Sequence, residues 1–436
     1  MKPDAKQTLI PKLRFPEFRK DGEWCHVYLQ NICDLITKGT TPTSYGFHYV
    51  ESGIRFVKIE SLNDGSVDVS KTAFITSECH QLFERSQLQT NDILFSIAGA
   101  LGVVASVSED ILPANTNQAL AIIRLTPSNS WHYIFFYLCA PMIQTEIFRI
   151  KAGAAQPNIS LSQLGNFQIL LPPLVEQQKI ADCLSTLDER IGAESRKLDA
   201  LKTHKKGIMQ QLFPREGETL PPLRFPEFKN APEWKKSPLS KFFLSLDAGV
   251  SVNSGDRPAA KGKLGILKTS AVTNEIFDPS ENKVVSSELE QARLTEPVLA
   301  DTIIISRMNT PLLVGANAYV ATSDSNLFLP DRLWAAKPRE NVSMRFLAFV
   351  LGSDKGRSAL AMLATGTSGS MKNITKPDVL RLPIMAPNPD EQRRIAFCLS
   401  SLDNLITAQS EKLETLKNHK KALMQQLFPF PKEVNA

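Results

Sequence analysis

The sequence predicts an α/β fold of two pseudo-two-fold-related α/β domains, separated by two long antiparallel helices that form a coiled coil. Three observations predict it. Both ends of a unit recur along the chain, a heptad pattern runs through each recurrence, and the stretches between mix short strand-like runs with helix-like ones.

The repeat comes first because it organises the rest. LRFPEF at Leu13–Phe18 returns at Leu223–Phe228, each followed by Glu-Trp, at Glu23-Trp24 and Glu233-Trp234. A longer segment from Glu176 to Pro214 aligns without gaps to Glu391–Pro429, with 25 of 39 positions identical. Between these anchors the likeness is faint: Lys58 matches Lys268, Asp92–Ser96 matches Asp301–Ser306, and Asn158-Ile159 matches Asn373-Ile374. Copies that agree at their ends and differ in their middles imply two different ligands for the middles. The matching ends imply two copies of one partner, or each other.

The helices follow from the heptads. Ile180, Leu184, Leu187, Ile191, Leu198, Leu201, Ile208 and Leu212 are spaced by alternating four- and three-residue steps, with Glu194 and Lys205 at the two missing seam positions. The second copy gives Ile395, Leu399, Leu402, Ile406, Leu413, Leu416, Leu423 and Leu427, with Gln409 and Lys420 in the same gaps. These seams form a coiled-coil and partner interface, either with each other or between two chains. Prolines at 172–173 and at 387 and 389 precede the helices, and Pro214 and Pro429 end them. At 1.5 Å per residue each helix is roughly 57 Å long. The short connection from Pro214 to Leu223 cannot return along such a length, so the pair is expected to act as a ruler between the domains.

The middles read as α/β domains. Expected strands are Ile54–Ile59, Asp92–Ile97, Ala119–Leu125, Leu264–Thr269 and Thr302–Ser306, with helices over Tyr133–Lys151 and Met344–Leu363. The loops carry donors suited to phosphates and base edges. In the first copy these are Lys38, Thr40, Thr41, Lys58, Asn115, Asn117, Gln118, Gln156 and Asn158. In the second they are Asn253, Arg257, Lys261, Lys263, Lys268, Arg307, Asn309, Arg332, Lys372 and Asn373. Solvated loops have the same composition, so nucleic-acid contact and plain surface both remain open on this ground.

Composition excludes several classes. Hydrophobic residues at 42% and charged residues at 22% are ordinary globular values, and the net charge of +5 is compatible with nucleic acid without requiring it. The N-terminal MKPDAKQTLIPK has no apolar stretch and no run reaches membrane length, so a cytoplasmic protein without membrane association is expected. Six cysteines without any CxxC read as reduced thiols rather than a zinc site, and no metal site is expected. The two Asn-x-Ser/Thr sequons, at Asn158 and Asn373, then count as loop residues. No phosphate-binding GxxxxGK[ST] motif occurs, nor an Asn-Pro-Pro-aromatic tetrapeptide, nor a patterned carboxylate cluster for a nuclease. His204-Lys-Lys206 and His419-Lys-Lys421 suit helix C-termini better than catalysis. No catalytic residue is expected.

Over essentially its full length the chain resembles the specificity subunits of type I restriction-modification enzymes. The resemblance rests on the LRFPEF segments with their tryptophans, the proline-led Glu-Gln helix starts (Leu171–Gln177 and Pro387–Gln392) and the long helices ending in MQQLFP. It implies target recognition domains at 1–171 and 215–386, a central conserved helix at 172–214 and a C-terminal conserved helix at 387–436. It further implies that each domain reads one half of a split, non-palindromic site in double-stranded DNA. The helices would dock two methyltransferase subunits, and restriction and translocase subunits would complete the complex. On this resemblance the chain is not an enzyme and binds no cofactor, while S-adenosylmethionine, ATP and Mg belong to partner subunits. Gly39–Pro42 and Asn117-Gln118 look like family elements, and Ala248–Val252 is a looser counterpart. The rivals are a specificity subunit of a methylation-only or other phage-exclusion system, a duplicated coiled-coil adaptor for proteins, and an undescribed enzyme.

Overall fold

The structure is a computed structural model that describes residues 10–151, 157–273, 275–365 and 371–429. The chain divides into two compact units, one of residues up to Lys197 together with those from Gln409 onward, the other of Leu198–Ala408. Each boundary falls inside a long helix. Each unit therefore holds one diverged domain, the first part of one helix and the last part of the other.

The two units share one plan. In the first, a four-stranded antiparallel sheet has the order Cys33–Lys38, Leu120–Leu125, Ile93–Ser96, Val104–Ser106. In the second, the order is Phe243–Ala248, Leu333–Pro338, Thr302–Ser306, Asn317–Val320. The inner strands Ile93–Ser96 and Thr302–Ser306 are buried at every position, as the unbroken apolar runs require. A parallel pairing recurs beside each sheet, Ile54–Val57 on Ala114–Thr116 and Gly265–Leu267 on Asp324–Phe328.

Each expected domain helix is two helices. Trp131–Cys139 and Pro141–Lys151 part at Ala140, whose backbone is extended, as the residue before a proline must be. Met344–Gly352 and Asp354–Met362 part at Ser353, extended and capping the second piece by accepting from Gly356 N.

The repeated motifs are staples. Arg14 and Arg224, from the two LRFPEF segments, pair with the buried carboxylates of Glu176 and Glu391 at the starts of the long helices. The neighbouring glutamines grip the domain helices: Gln177 Oε1 accepts from Ser130 N at 3.2 Å and Gln392 Oε1 from Ser343 N at 3.3 Å. Their amides donate to Pro172 O and Pro387 O. Trp24 and Trp234 are core residues. The MQQLFP ends dock as well, Phe428 edge-on to Tyr133 and Tyr137, and Phe213 against Trp234 and Phe346.

The long helices run over Leu174–Leu212 and Pro389–Leu427. Of the sixteen seam positions, Ile180, Leu184, Leu198, Leu212, Ile395, Leu399, Leu413 and Leu427 are buried and the other eight half-buried. The polar gaps meet across the pair. In the first unit Gln409 Nε2 donates to Glu194 Oε2 at 2.7 Å and Lys420 Nζ to Asp188 Oδ1 at 2.5 Å, so the helices are antiparallel there. In the second unit Lys205 meets Asp403 at 2.6 Å, the repeat's counterpart of the Asp188–Lys420 contact with the helices exchanged. The seams thus pair within one chain. Among the described residues no helix is long and apolar enough to cross a membrane.

Candidate nucleic-acid interface

In the first unit the candidate loops are tied together by backbone. After the strand ending at Lys38, a Cβ on Gly39 would lie 1.9 Å from Thr116 O and 2.4 Å from Asn117 O, so only glycine lets these loops touch. Thr40 N donates to Thr116 O at 3.1 Å. Thr116 Oγ1 donates to Val57 O at 2.9 Å, which places Lys58 next in line. Ile97 N donates to Ala119 O at 2.8 Å, and Ile159 N to Ile97 O at 2.9 Å, bringing in Asn158. Lys38, Thr40, Thr41, Lys58, Asn117, Gln118 and Asn158 therefore surround one knot. Lys38, Gln118 and Asn158 are exposed there and the rest half-buried. Lys58 Nζ sits 4.0 Å above the Tyr49 ring, a cation–π contact that orients it.

The knot is built again in the second unit. A Cβ on Gly249 would lie 1.6 Å from Leu329 O. Arg307 N donates to Arg332 O at 3.0 Å and Ile374 N to Arg307 O at 2.9 Å, the counterparts of the Ile97 and Ile159 bonds. Lys372 and Asn373 pair as strand with Asn309 and Met308. Arg332 is exposed and Arg307, Lys372 and Asn373 half-buried. Lys268 follows Gly265–Leu267 as Lys58 follows its strand, and its ammonium lies 3.4 Å from Glu281 Oε2.

Burial corrects two of the expected contacts, Asn115 and Asn309. Asn115 is fully buried, its amide donating to Phe83 O at 3.1 Å and Ser86 Oγ at 3.0 Å while its oxygen meets His80 Nδ1. It holds the fold and has no face for DNA. Asn309 is buried too, bonded to Ser306 Oγ at 3.3 Å and to Thr310 N at 2.9 Å, for the same reason a support. The Asn253 amide is taken by Glu290 Oε1 at 3.1 Å. Arg257, Lys261 and Lys263 are exposed on a loop tied to Val284 rather than to the knot, through Gly255 N to Val284 O at 2.8 Å and Val284 N to Arg257 O at 2.9 Å. Gln156 lies outside the described residues.

One residue of the second knot escaped sequence reasoning. Asp331 sits between Leu329 and Arg332, its side chain 47% exposed, with Oδ1 accepting from Ser251 Oγ and Oδ2 4.0 Å from Arg307 Nη2. A carboxylate among cations gave no pattern to search for. Among the described residues no group of His, Cys, Asp and Glu is arranged to hold a metal ion. Burial pushes the Cys33 and Cys139 thiols up to about 12, so neither is a nucleophile.

The seams are spent inside the chain, but the second long helix still turns Phe397 and Leu405 outward, 67% and 55% exposed. The first exposes Leu174 and Val175 at its start.

Comparison with known proteins agrees with this layout. The family model described as type I restriction modification DNA specificity domain matches twice, at residues 21–203 and 232–418. A putative type I restriction enzyme MjaX specificity subunit of Methanocaldococcus jannaschii is 26% identical over 434 residues, covering 97% of this chain and 96% of that one. The EcoBI specificity subunit of Escherichia coli is 30% identical over 176 residues, 39% of this chain and 35% of its own. In fold, the crystal structure of the S subunit of a type I restriction-modification system from M. genitalium superposes with a TM-score of 0.60 at 15% identity, covering 96% of this chain and 99% of that one. With the family's domain matched once in each half, the chain belongs to the type I restriction-modification DNA specificity family.

Proposed function

We propose that this chain is the DNA-recognition subunit of a type I restriction-modification complex, in which each knot of loops reads one half of a split, non-palindromic duplex site. The observation that carries this reading is the duplicated knot: the bonds from Ile97 N to Ala119 O and from Ile159 N to Ile97 O recur as Arg307 N to Arg332 O and Ile374 N to Arg307 O, while the exposed side chains differ, Gln118 and Asn158 in the first unit and Arg332 in the second. The buried Ile97 stands where the other unit has the half-buried Arg307, and the half-buried Ala119 where it has the exposed Arg332. A fixed frame with exchanged side chains is what two different half-sites require.

In this reading two methyltransferase subunits and the restriction and translocase subunits dock on the helical parts, in the cytoplasm. S-adenosylmethionine, ATP and Mg are held by those partners, and this chain supplies the address rather than the chemistry. The long helices fix the unread gap between the half-sites. Mapping methylated bases by single-molecule sequencing in cells carrying the system tests the proposal. The expected result is one motif of two unlike halves around a fixed gap; a continuous or palindromic motif, or no methylation, would overturn it.

A further inference from the structure

We infer that Asp331 is a base-reading residue of the second domain, accepting a hydrogen bond from the exocyclic amine of a cytosine, at the place where the first domain presents Gln118. The inference rests on the DNA-recognition reading above and adds to it a residue and a base.

The equivalence is geometric. Leu120 faces Ser96 across the first sheet as Leu333 faces Ser306 across the second. Counting back, Ala119 and Arg332 accept the matching bonds from Ile97 N and Arg307 N, and Thr116 and Leu329 press on Gly39 and Gly249. Gln118 and Asp331 therefore occupy the same position, two residues past the glycine contact and one before the shared carbonyl. The first is exposed, and the second is half-exposed.

The chemistry separates the two. A glutamine carries both a donor and an acceptor and suits adenine, whereas an ionised carboxylate only accepts and suits the cytosine amine. A carboxylate is repelled by phosphate, so on a DNA-facing loop its use lies with a base edge. Asp331 is also aimed. The Ser251 hydroxyl holds Oδ1, and the turn that closes with Leu333 N on Pro330 O at 3.3 Å fixes its backbone. That leaves Oδ2 turned to the side of Arg307, whose guanidinium is suited to a neighbouring guanine.

The test uses the chain assembled with its methyltransferase subunits and a duplex library randomised over the wild-type site. The wild-type complex is measured first: failure to methylate any bipartite motif removes the DNA-recognition reading itself. Given a wild-type motif, Asp331→Asn should relax or change one cytosine-containing position in one half-site by at least tenfold in preference and leave the other half unchanged. Gln118→Ala should act only on the other half. Ser251→Ala, which frees the carboxylate without changing its charge, should weaken the same position as Asp331→Asn by a smaller factor. Should Asp331→Asn fail to assemble, Asp331→Glu and Ser251→Ala carry the same readout. An unchanged motif in assembled variants, or a uniform loss over all sequences, overturns the inference and leaves Asp331 as a support for Ser251.

Discussion

Arg14 and Glu176 lie 162 residues apart and meet in a buried two-pronged ion pair, Nε to Oε1 at 2.8 Å and Nη2 to Oε2 at 2.7 Å. The remaining guanidinium nitrogen donates to the carbonyls of Asp21 and Gly22, so every charge in the contact is matched. The bond to Glu176 also raises the Arg14 pKa, against the burial that would lower it. The LRFPEF segment is thereby locked to the start of the first long helix. Glu176→Ala strands a buried guanidinium and should cost about 3–5 kcal/mol. Denaturant unfolding with hydrogen exchange should place the loss in the first unit; a cost below about 1 kcal/mol would mean the staple is dispensable.

Lys420 and Asp188 give a reversible test of the antiparallel pairing. Asp188→Lys should destabilise the helix pair, and adding Lys420→Asp should restore it. Both groups keep some solvent contact, so the coupling in the double-mutant cycle should be about 0.5–1 kcal/mol. A cycle that shows no coupling would contradict the observed register.

Gly39→Ala and Gly249→Ala should each disable one knot. A Cβ cannot sit 1.9 or 1.6 Å from a carbonyl oxygen, so the two loops must separate. Each variant should lose selectivity for one half-site only, scored by methylation of half-site variants. Equal loss at both halves would mean that the knots are not independent readers.

Asn115→Ala separates support from contact. It leaves Phe83 O and Ser86 Oγ without their donor and should cost about 1–3 kcal/mol. The methylated motif should stay the same, since the residue has no outward face. A changed motif in the folded variant would return Asn115 to the interface.

His132 gives a pH signature. Burial lowers its pKa, only partly offset by the charge of Asp182, and its ring stacks on Trp131. The folded chain therefore refuses a proton that the unfolded chain takes up below about 6.5. Stability should fall as pH drops from there toward the lower folded value. His132→Asn should flatten that stretch of the melting-temperature curve, and an identical slope in the variant would assign it to other groups.

The sequence by itself determined the repeat, the two long helices and their seams. Heptad spacing is a local period, and each seam side chain came to lie where that period put it. Prolines marked the ends of the long helices in the same local way, although Pro141 and Ser353 break helices that apolar content alone runs together. Which loop residues face outward was not local. Asn115 and Gln118 are three residues apart and chemically alike, yet one is sealed among His80, Phe83 and Ser86 and the other is exposed. Only the packing of distant segments distinguishes them. The match of Gln118 to Asp331 was hidden for a related reason. The repeat offset is 210 residues at Gly39 and Gly249 but 213 at Gln118 and Asp331, because the intervening loops differ in length. Backbone hydrogen bonds between those loops restore the correspondence, and these form only when the chain is folded.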